Sequence, residues 1–156
     1  MSKKSAGLLM YHFRDSQLEV FLVHPGGPFW AKKDDGAWSI PKGEHADDEE
    51  PLGAAKREFN EETGCEAEGD FIPLTPLRQP SRKIISAWAL EGDCDAEGIK
   101  SNTFTMEWPP RSGTQAEFPE VDRAGWFTMD RAKQKILKGQ QGFLDELCRI
   151  LHYKLP

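Results

Sequence analysis

Residues 43–65 read GEHADDEEPLGAAKREFNEETGC, and how this segment folds decides how the rest of the chain is read. Pro51 suits a first helical position, because its missing N–H would be unpaired there and its φ is already helical. Asp47, Asp48, Glu49 and Glu50 lie just ahead of that turn, where acids complement the helix dipole. Gly64 reads as the C-cap glycine, so a helix is expected over residues 51–63. At 3.6 residues per turn, Glu58, Glu61 and Glu62 fall within an arc of about 100°. Leu52, Ala55 and Phe59 form an adjoining stripe that can pack on a sheet. Carboxylates gathered this closely repel one another, so a partner of opposite charge has to justify them. Magnesium or manganese, hard cations that want oxygen ligands, would suit the acid stripe. Arg57 stands beside it, where its guanidinium fork can hold a carboxylate in one rotamer. A solvated acidic helix face is the other meaning of such a run.

With its spacing included, the segment resembles the Nudix box, G-x5-E-x7-R-E-U-x-E-E-x-G-U, where U is a bulky apolar residue. Gly43, Glu49, Arg57, Glu58, Phe59, Glu61, Glu62 and Gly64 stand in register with it. Cys65 departs from it in the last apolar position, which bears on packing and leaves the chemistry alone. Outside the box, Trp38-Ser39-Ile40-Pro41-Lys42-Gly43 resembles the W-x-x-P-K-G lead-in of many members. Residues 5–11 and 18–23 are similar to the family's opening hairpin, and residues 122–129 to its late strand. The chain is therefore similar to the Nudix hydrolases over most of its length. Small bacterial MutT-like members, described as nucleoside triphosphate pyrophosphohydrolases, and the diadenosine polyphosphate hydrolases are the nearest in pattern.

The chain has 156 residues, enough for one domain (residues 1–156) with a real core. Its formal net charge of −6 argues against broad binding to a nucleic-acid polymer. Cys65, Cys94 and Cys148 are odd in number and scattered, and are read as free thiols in a reducing cytoplasm. The basic start, MSKKSAGLLMYHF, carries too short an apolar stretch for a signal peptide or a membrane span. A cytoplasmic protein, monomer or homodimer, with no membrane partner is expected.

Residues 18–23 read as a strand paired with residues 7–11 across an Arg14-Asp15-Ser16-Gln17 turn. Residues 24–36 are too rich in glycine and proline for regular structure. Short strands are expected at 38–40, 71–77, 83–90, 104–108 and 125–129, with residues 109–115 as a loop. Asp130 is read as the cap of a helix running to about residue 137. A last amphipathic helix, residues 143–151, should turn Phe143, Leu144, Leu147, Ile150 and Leu151 inward. This order fits an α/β fold, and the resemblance implies the Nudix α/β/α sandwich around a mixed central sheet.

The resemblance also implies roles. Glu58 and Glu62 are metal ligands, with Glu61 close behind and the Gly43 carbonyl completing the sphere. Glu58 serves as, or hydrogen-bonds to, the base that activates water, with Glu61 nearby and Arg57 as orienter. Glu49 takes a structural part near the helix start. Glu120, six residues before Trp126, stands where mutator-type members carry an additional acid, with Glu117 and Glu107 as competitors. Lys42 touches a phosphate or shapes the turn. Phe29, Trp30 and Trp38 are candidates for stacking on a base, and Arg82 and Arg111 for a phosphate. Trp108 and Trp126 read as core, His24 as a satisfied structural histidine and His45 as exposed. The implied activity is magnesium-dependent (or manganese-dependent) hydrolysis of a pyrophosphate bond in a nucleoside triphosphate or dinucleoside polyphosphate. ADP-ribose and nucleotide sugars are the alternative substrates. A catalytically silent nucleotide-binding module is the alternative class, and such domains usually lose a position that Arg57, Glu58, Glu61 or Glu62 keeps here.

Overall fold

The computed structural model describes residues 4–154, so the first residues of the basic N-terminal segment lie outside the described part. Two long strands form its spine: β1 (Lys4–Arg14) and β2 (Gln17–Pro25) pair antiparallel, with Arg14 opposite Gln17. Asp15 (φ 51°) and Ser16 (φ 67°) make the two-residue turn between them, in the left-handed conformation that matches the twist of a hairpin. Next come β3 (Lys42–Glu44), α1 (Pro51–Thr63), β4 (Ile72–Pro73), β5 (Leu77–Arg78) and β6 (Ile84–Glu91). Beyond a 3-10 turn at Ala96–Gly98 follow β7 (Thr103–Glu107), β8 (Gln115–Pro119) and β9 (Val121–Thr128). The chain then forms α2 (Met129–Lys135), a 3-10 turn at Lys138–Gln140, and α3 (Gln141–Ile150).

Among the described residues one mixed sheet runs β4-β6-β1-β2-β9, with β3 also on β1 and β5 on β6. The β1–β6 pair is parallel and its neighbours are antiparallel. β7 and β8 form a separate hairpin. Side chains of β1 alternate, as a strand buried on both faces requires. Ala6, Leu8 and Met10 join Ala54, Ala55 and Phe59 of α1, together with Phe21 and Val23. Leu9 and Tyr11 join the opposite layer, with Met129 and Ala132 of α2 and Phe143, Leu144 and Leu147 of α3. The sheet is thus covered on both faces, which is the expected α/β/α sandwich.

Several local expectations change. Residues 71–77 do not form one strand: Pro73 and Pro76 each lack an N–H, and only Ile72–Pro73 and Leu77–Arg78 pair with β6. Residues 38–40 contribute isolated bridges, Val23 to Ser39 and Trp38 to Ile136, in place of a strand. β8 was not anticipated. Its half-buried Ala116 and Phe118 alternate with exposed polar residues and a terminal Pro119, a weak strand signal. Asp130 lies inside α2 and accepts a hydrogen bond from the Thr128 hydroxyl (2.7 Å), while Thr128 holds the cap position. Ile150 and Leu151 are only partly buried.

The reading of three free thiols is wrong for two of them. Cys65 and Cys94 form a disulfide, leaving Cys148 as the thiol. Cys65 follows the C-cap of α1 and Cys94 follows β6, and packing α1 on the sheet brings the two together. Residue parity and spacing carry no trace of that proximity. One ground for expecting a reducing compartment goes with it. Closing a loop of this length contributes about 3–4 kcal/mol in the chain-entropy description. Thiol titration of the denatured, unreduced protein should therefore find one reactive thiol, and three after reduction, with a lower Tm for the reduced form. Three thiols without reductant would contradict the bond.

Candidate functional site: the acid face of the first helix

The acid face exists because α1 is fixed at both ends. The Glu50 carboxylate accepts the Gly53 N–H (2.6 Å) and Pro51 opens the first turn. Gly64, at φ 79°, closes the helix with its N–H on the Asn60 carbonyl (2.7 Å). Beneath the helix, β3 lies on β1 with Gly43 opposite Ala6. Here Gly43 meets Glu58 so closely that a Cβ on residue 43 would lie within the Glu58 carboxyl group. Glycine is therefore required at 43 to admit the carboxylate.

Arg57 organises the acids around it. Its Nε and Nη2 donate to the two oxygens of Glu49 at 2.8 and 3.0 Å. Nη1 donates to Glu58 Oε1 (2.8 Å) and reaches both oxygens of Glu61 at 3.2 and 3.1 Å. These bonds, led by Glu49, raise the Arg57 guanidinium above its ordinary value. The structural part expected of Glu49 is thus to anchor Arg57. Glu62 faces the other way, its Oε1 accepting the Lys42 N–H (3.2 Å). Glu58 Oε2 and the second oxygen of Glu62 stay outside these bonds.

Burial raises the Glu58 carboxyl above its ordinary value, opposed by the Arg57 hydrogen bond and helped by the charges of Glu61 and Glu120. Burial also pushes Glu62 up to about 8, opposed by Lys42 and helped by Glu58 and Glu120. Lys42 is lowered, first by burial and also by Lys83, against the pull of Glu62, Glu44 and Glu58. Glu120 is therefore electrostatically coupled to both acids, although it comes from the far end of the chain. Its N–H donates to the Asn102 carbonyl (2.8 Å) and its carbonyl accepts the Gly26 N–H (2.9 Å). A cavity of about 200 Å3 brings Glu120, Glu62, Lys42 and Trp30 together. The Glu107 carboxylate instead accepts the Arg111 and Gly113 N–H groups in the β7–β8 turn. Glu117 is exposed on β8.

The substrate candidates separate. Trp30 and Lys42 line the cavity, whereas Trp38 does not. Trp38 is 6% exposed, packs on His24 and Phe127, and donates its Nε1–H to Asp34 (2.8 Å). Phe29 is 62% exposed and sets its ring edge-on to Trp108, away from the cavity; Trp108 is accordingly not core. Arg82 is exposed at the turn before β6, in a left-handed conformation (φ 70°), and its neighbour Lys83 faces inward toward Lys42. The sequence reading missed Lys83, whose signal was only one of two adjacent bases. His24 is fully buried, with its ring nitrogens engaged by Asp122 and the Lys33 carbonyl. His45 is half-buried, its Nδ1 2.9 Å from the Ala46 carbonyl oxygen.

All donors on this face are oxygens, the set a hard dication prefers. Among the described residues no three acids, histidines or cysteines already converge on one point, and Arg57 engages both oxygens of Glu61. The fit to magnesium or manganese lies in the donor chemistry and in the bare backbone of Gly43 against Glu58.

The family model of the NUDIX domain matches residues 1–147. The chain belongs to the Nudix family. Its enzymes hydrolyse phosphoric anhydrides, and this Nudix protein is a hydrolase of that class. No curated protein matches it. It is similar to a C. elegans Ap4A hydrolase solved as a binary complex, at 19% identity over 95% of this chain and 98% of that one, with TM-score 0.66. The NUDIX domain of Shewanella oneidensis NrtR, complexed with ADP ribose, gives 16% identity over 97% and 89%, with TM-score 0.65. A mutT/nudix family protein from Listeria innocua gives 16% over 96% and 94%, with TM-score 0.64. At these identities the likeness is one of fold.

Glu62 carries a consequence for the metal-free Nudix protein. A carboxyl raised from 4.5 to about 8 favours the folded state while it is neutral. That contribution is complete below pH 4.5 and is lost as the pH rises through about 8. Glu62→Gln, neutral throughout, should flatten this part of the Tm–pH profile in scanning calorimetry with chelator present. Identical slopes for wild type and variant would contradict the assignment.

Proposed function

We propose that this Nudix hydrolase is a magnesium-dependent pyrophosphohydrolase of a nucleoside triphosphate or dinucleoside polyphosphate, acting as one domain over residues 1–156. The observation that carries the reading is one cavity lined by Glu62, Glu120, Lys42 and Trp30, with Glu58 close enough to feel the charge of Glu120. Glu58 and Glu62 would hold the metal, with Glu61, Glu120 and the Gly43 carbonyl as further oxygen donors. The ion, when bound, supplies charge neutralisation on the anhydride oxygens and lowers the pKa of a coordinated water.

The protein's own residues supply position. Arg57 fixes the rotamers of Glu58 and Glu61 from one side while Glu49 fixes Arg57. Glu58, held against Gly43, would take a proton from the attacking water. Lys42 offers a positive charge to phosphate oxygens on the far side of Glu62, and Trp30 offers an aromatic wall. No helix among the described residues is long and apolar enough to cross a membrane. ADP-ribose is the second substrate reading, supported by the related fold solved with that ligand. A silent binding module is disfavoured, because Arg57, Glu58, Glu61 and Glu62 are all retained.

The test is product release with magnesium from dGTP, 8-oxo-dGTP, diadenosine tetraphosphate and ADP-ribose, for wild type, Glu58→Gln and Glu62→Gln. Wild type should turn over at least one of the first three, and each variant should lose about a hundredfold or more in kcat. Wild-type inactivity on all four with nucleotide binding retained would sink the enzyme reading.

A further inference from the structure

Glu120 is held in place by a strap, residues 92–102, that leaves β6 and passes the end of α1 on its way to β7. The Glu120 N–H donates to the Asn102 carbonyl (2.8 Å), and the Val121 N–H to Ser101 Oγ (3.0 Å). The strap is held in turn by the helix. Its Lys100 N–H donates to the Thr63 carbonyl (2.9 Å) and its Asn102 N–H to the Glu61 carbonyl (2.8 Å). Among the described residues these two are the hydrogen bonds that join the last turn of α1 to the strap. The Cys65–Cys94 disulfide is the covalent tie across the same boundary.

Each end of the disulfide is anchored to its own side. The Cys65 N–H donates to Thr63 Oγ1 (3.1 Å), its carbonyl accepts from Asn60 Nδ2 (3.2 Å), and the Thr63 hydroxyl donates to the Phe59 carbonyl (2.7 Å). Cys65 therefore moves with the helix. The Cys94 carbonyl accepts the Trp126 indole N–H (2.9 Å), so Cys94 stays with the sheet. Between Cys94 and Lys100 the strap makes the 3-10 turn at Ala96–Gly98, which buries none of its residues. A segment with so few buried contacts is where local opening costs least. Cys94 also lines a cavity of about 550 Å3, which shares no residue with the one at Glu62 and Glu120. The exposed Asp93, Asp95 and Glu97 form its mouth, so a small reductant in solvent can reach the bond.

We propose that Cys65–Cys94 is a reversible redox latch on the acid face, opened by an external dithiol. A thiolate of the dithiol attacks the sulfur of Cys94, the S–S bond breaks, and the Cys65 thiolate leaves and takes a proton. The second thiol of the dithiol, after losing its proton, displaces the Cys94 thiolate, which is protonated in turn. The protein gains two thiols and the dithiol becomes a disulfide. With the latch open, the strap that positions Glu120 is released from the helix that carries Glu58, Glu61 and Glu62. The effect on metal binding rests on the reading above, in which Glu120 joins those acids at the ion.

The test uses the full chain in three forms: oxidised, reduced with dithiothreitol and desalted under nitrogen, and Cys65→Ser/Cys94→Ser prepared without reductant. Under native conditions dithiothreitol should raise the free thiols from the one at Cys148 to all three. In the metal-free protein, 15N order parameters over residues 95–102 should fall from about 0.85 to below about 0.6 in the reduced form and the variant, while β1 and β2 keep theirs. Manganese titration, followed by the resonance of the free ion, should show affinity about tenfold weaker in both. Reoxidation should restore the wild type, and dithiothreitol should leave the variant unchanged. A bond that stays closed until the protein is denatured, a strap equally rigid in all forms, or equal manganese affinity in the oxidised and reduced forms would overturn the latch. A strap freed on reduction in a protein that binds no manganese in any form would uphold the latch and overturn the metal reading.

Discussion

A carboxylate lies against a backbone position that has no side chain: Glu58 of α1 meets Gly43 of β3 where any Cβ would collide with it. This contact sets how closely the helix approaches the sheet. The approach in turn buries Phe59, Ala54 and Ala55 against Leu8, Met10 and Phe21, so one layer of the core depends on it. It also takes a charged group almost wholly out of water, which is costly unless something compensates. Arg57 compensates from one side. On the other side, burial raises the carboxyls of Glu58 and of the half-buried Glu62. A fold organised for stability alone would place apolar residues there.

Glu62 and Lys42 extend the same constraint across the cleft. Residues 42–44 form the short β3, so the turn that presents Gly43 to Glu58 also presents the Lys42 N–H to Glu62. Glu120 closes the site through backbone bonds to Asn102 and Gly26. The Asn102 N–H also donates to the Glu61 carbonyl (2.8 Å) and the Lys100 N–H to the Thr63 carbonyl (2.9 Å). The end of α1 is thus tied to the segment that carries Glu120. The Cys65–Cys94 disulfide adds a covalent link from the end of α1 to the segment that follows β6.

What the sequence revealed was whatever depends on local spacing. The proline and glycine that bound α1, the carboxylate arc and the alternating strands β1 and β2 are all short-range patterns, and all were legible. Gly43 was legible as a position in a motif, but its reason, the carboxylate lying on it, is tertiary. Trp38 read as a stacking candidate because aromatics near an active site look alike, yet its indole is committed to Asp34 and the core. Lys83 and Lys138 were invisible because the turn before β6 and a 3-10 turn distant in sequence bring them to one cavity. The disulfide was missed for the same reason, and β8 because a five-residue hairpin arm with a proline carries little periodicity.

The central claim is that Gly43 admits Glu58 to a position where it binds a divalent cation with Glu62. The most direct measurement is a manganese titration followed by the electron paramagnetic resonance of the free ion, for wild type, Glu58→Gln and Gly43→Ala. The account predicts binding by wild type and a loss of about tenfold or more in both variants, since a methyl group added at Gly43 displaces the Glu58 carboxylate as surely as removing its charge. Manganese bound by Gly43→Ala as tightly as by wild type, in a variant that remains folded, would contradict it.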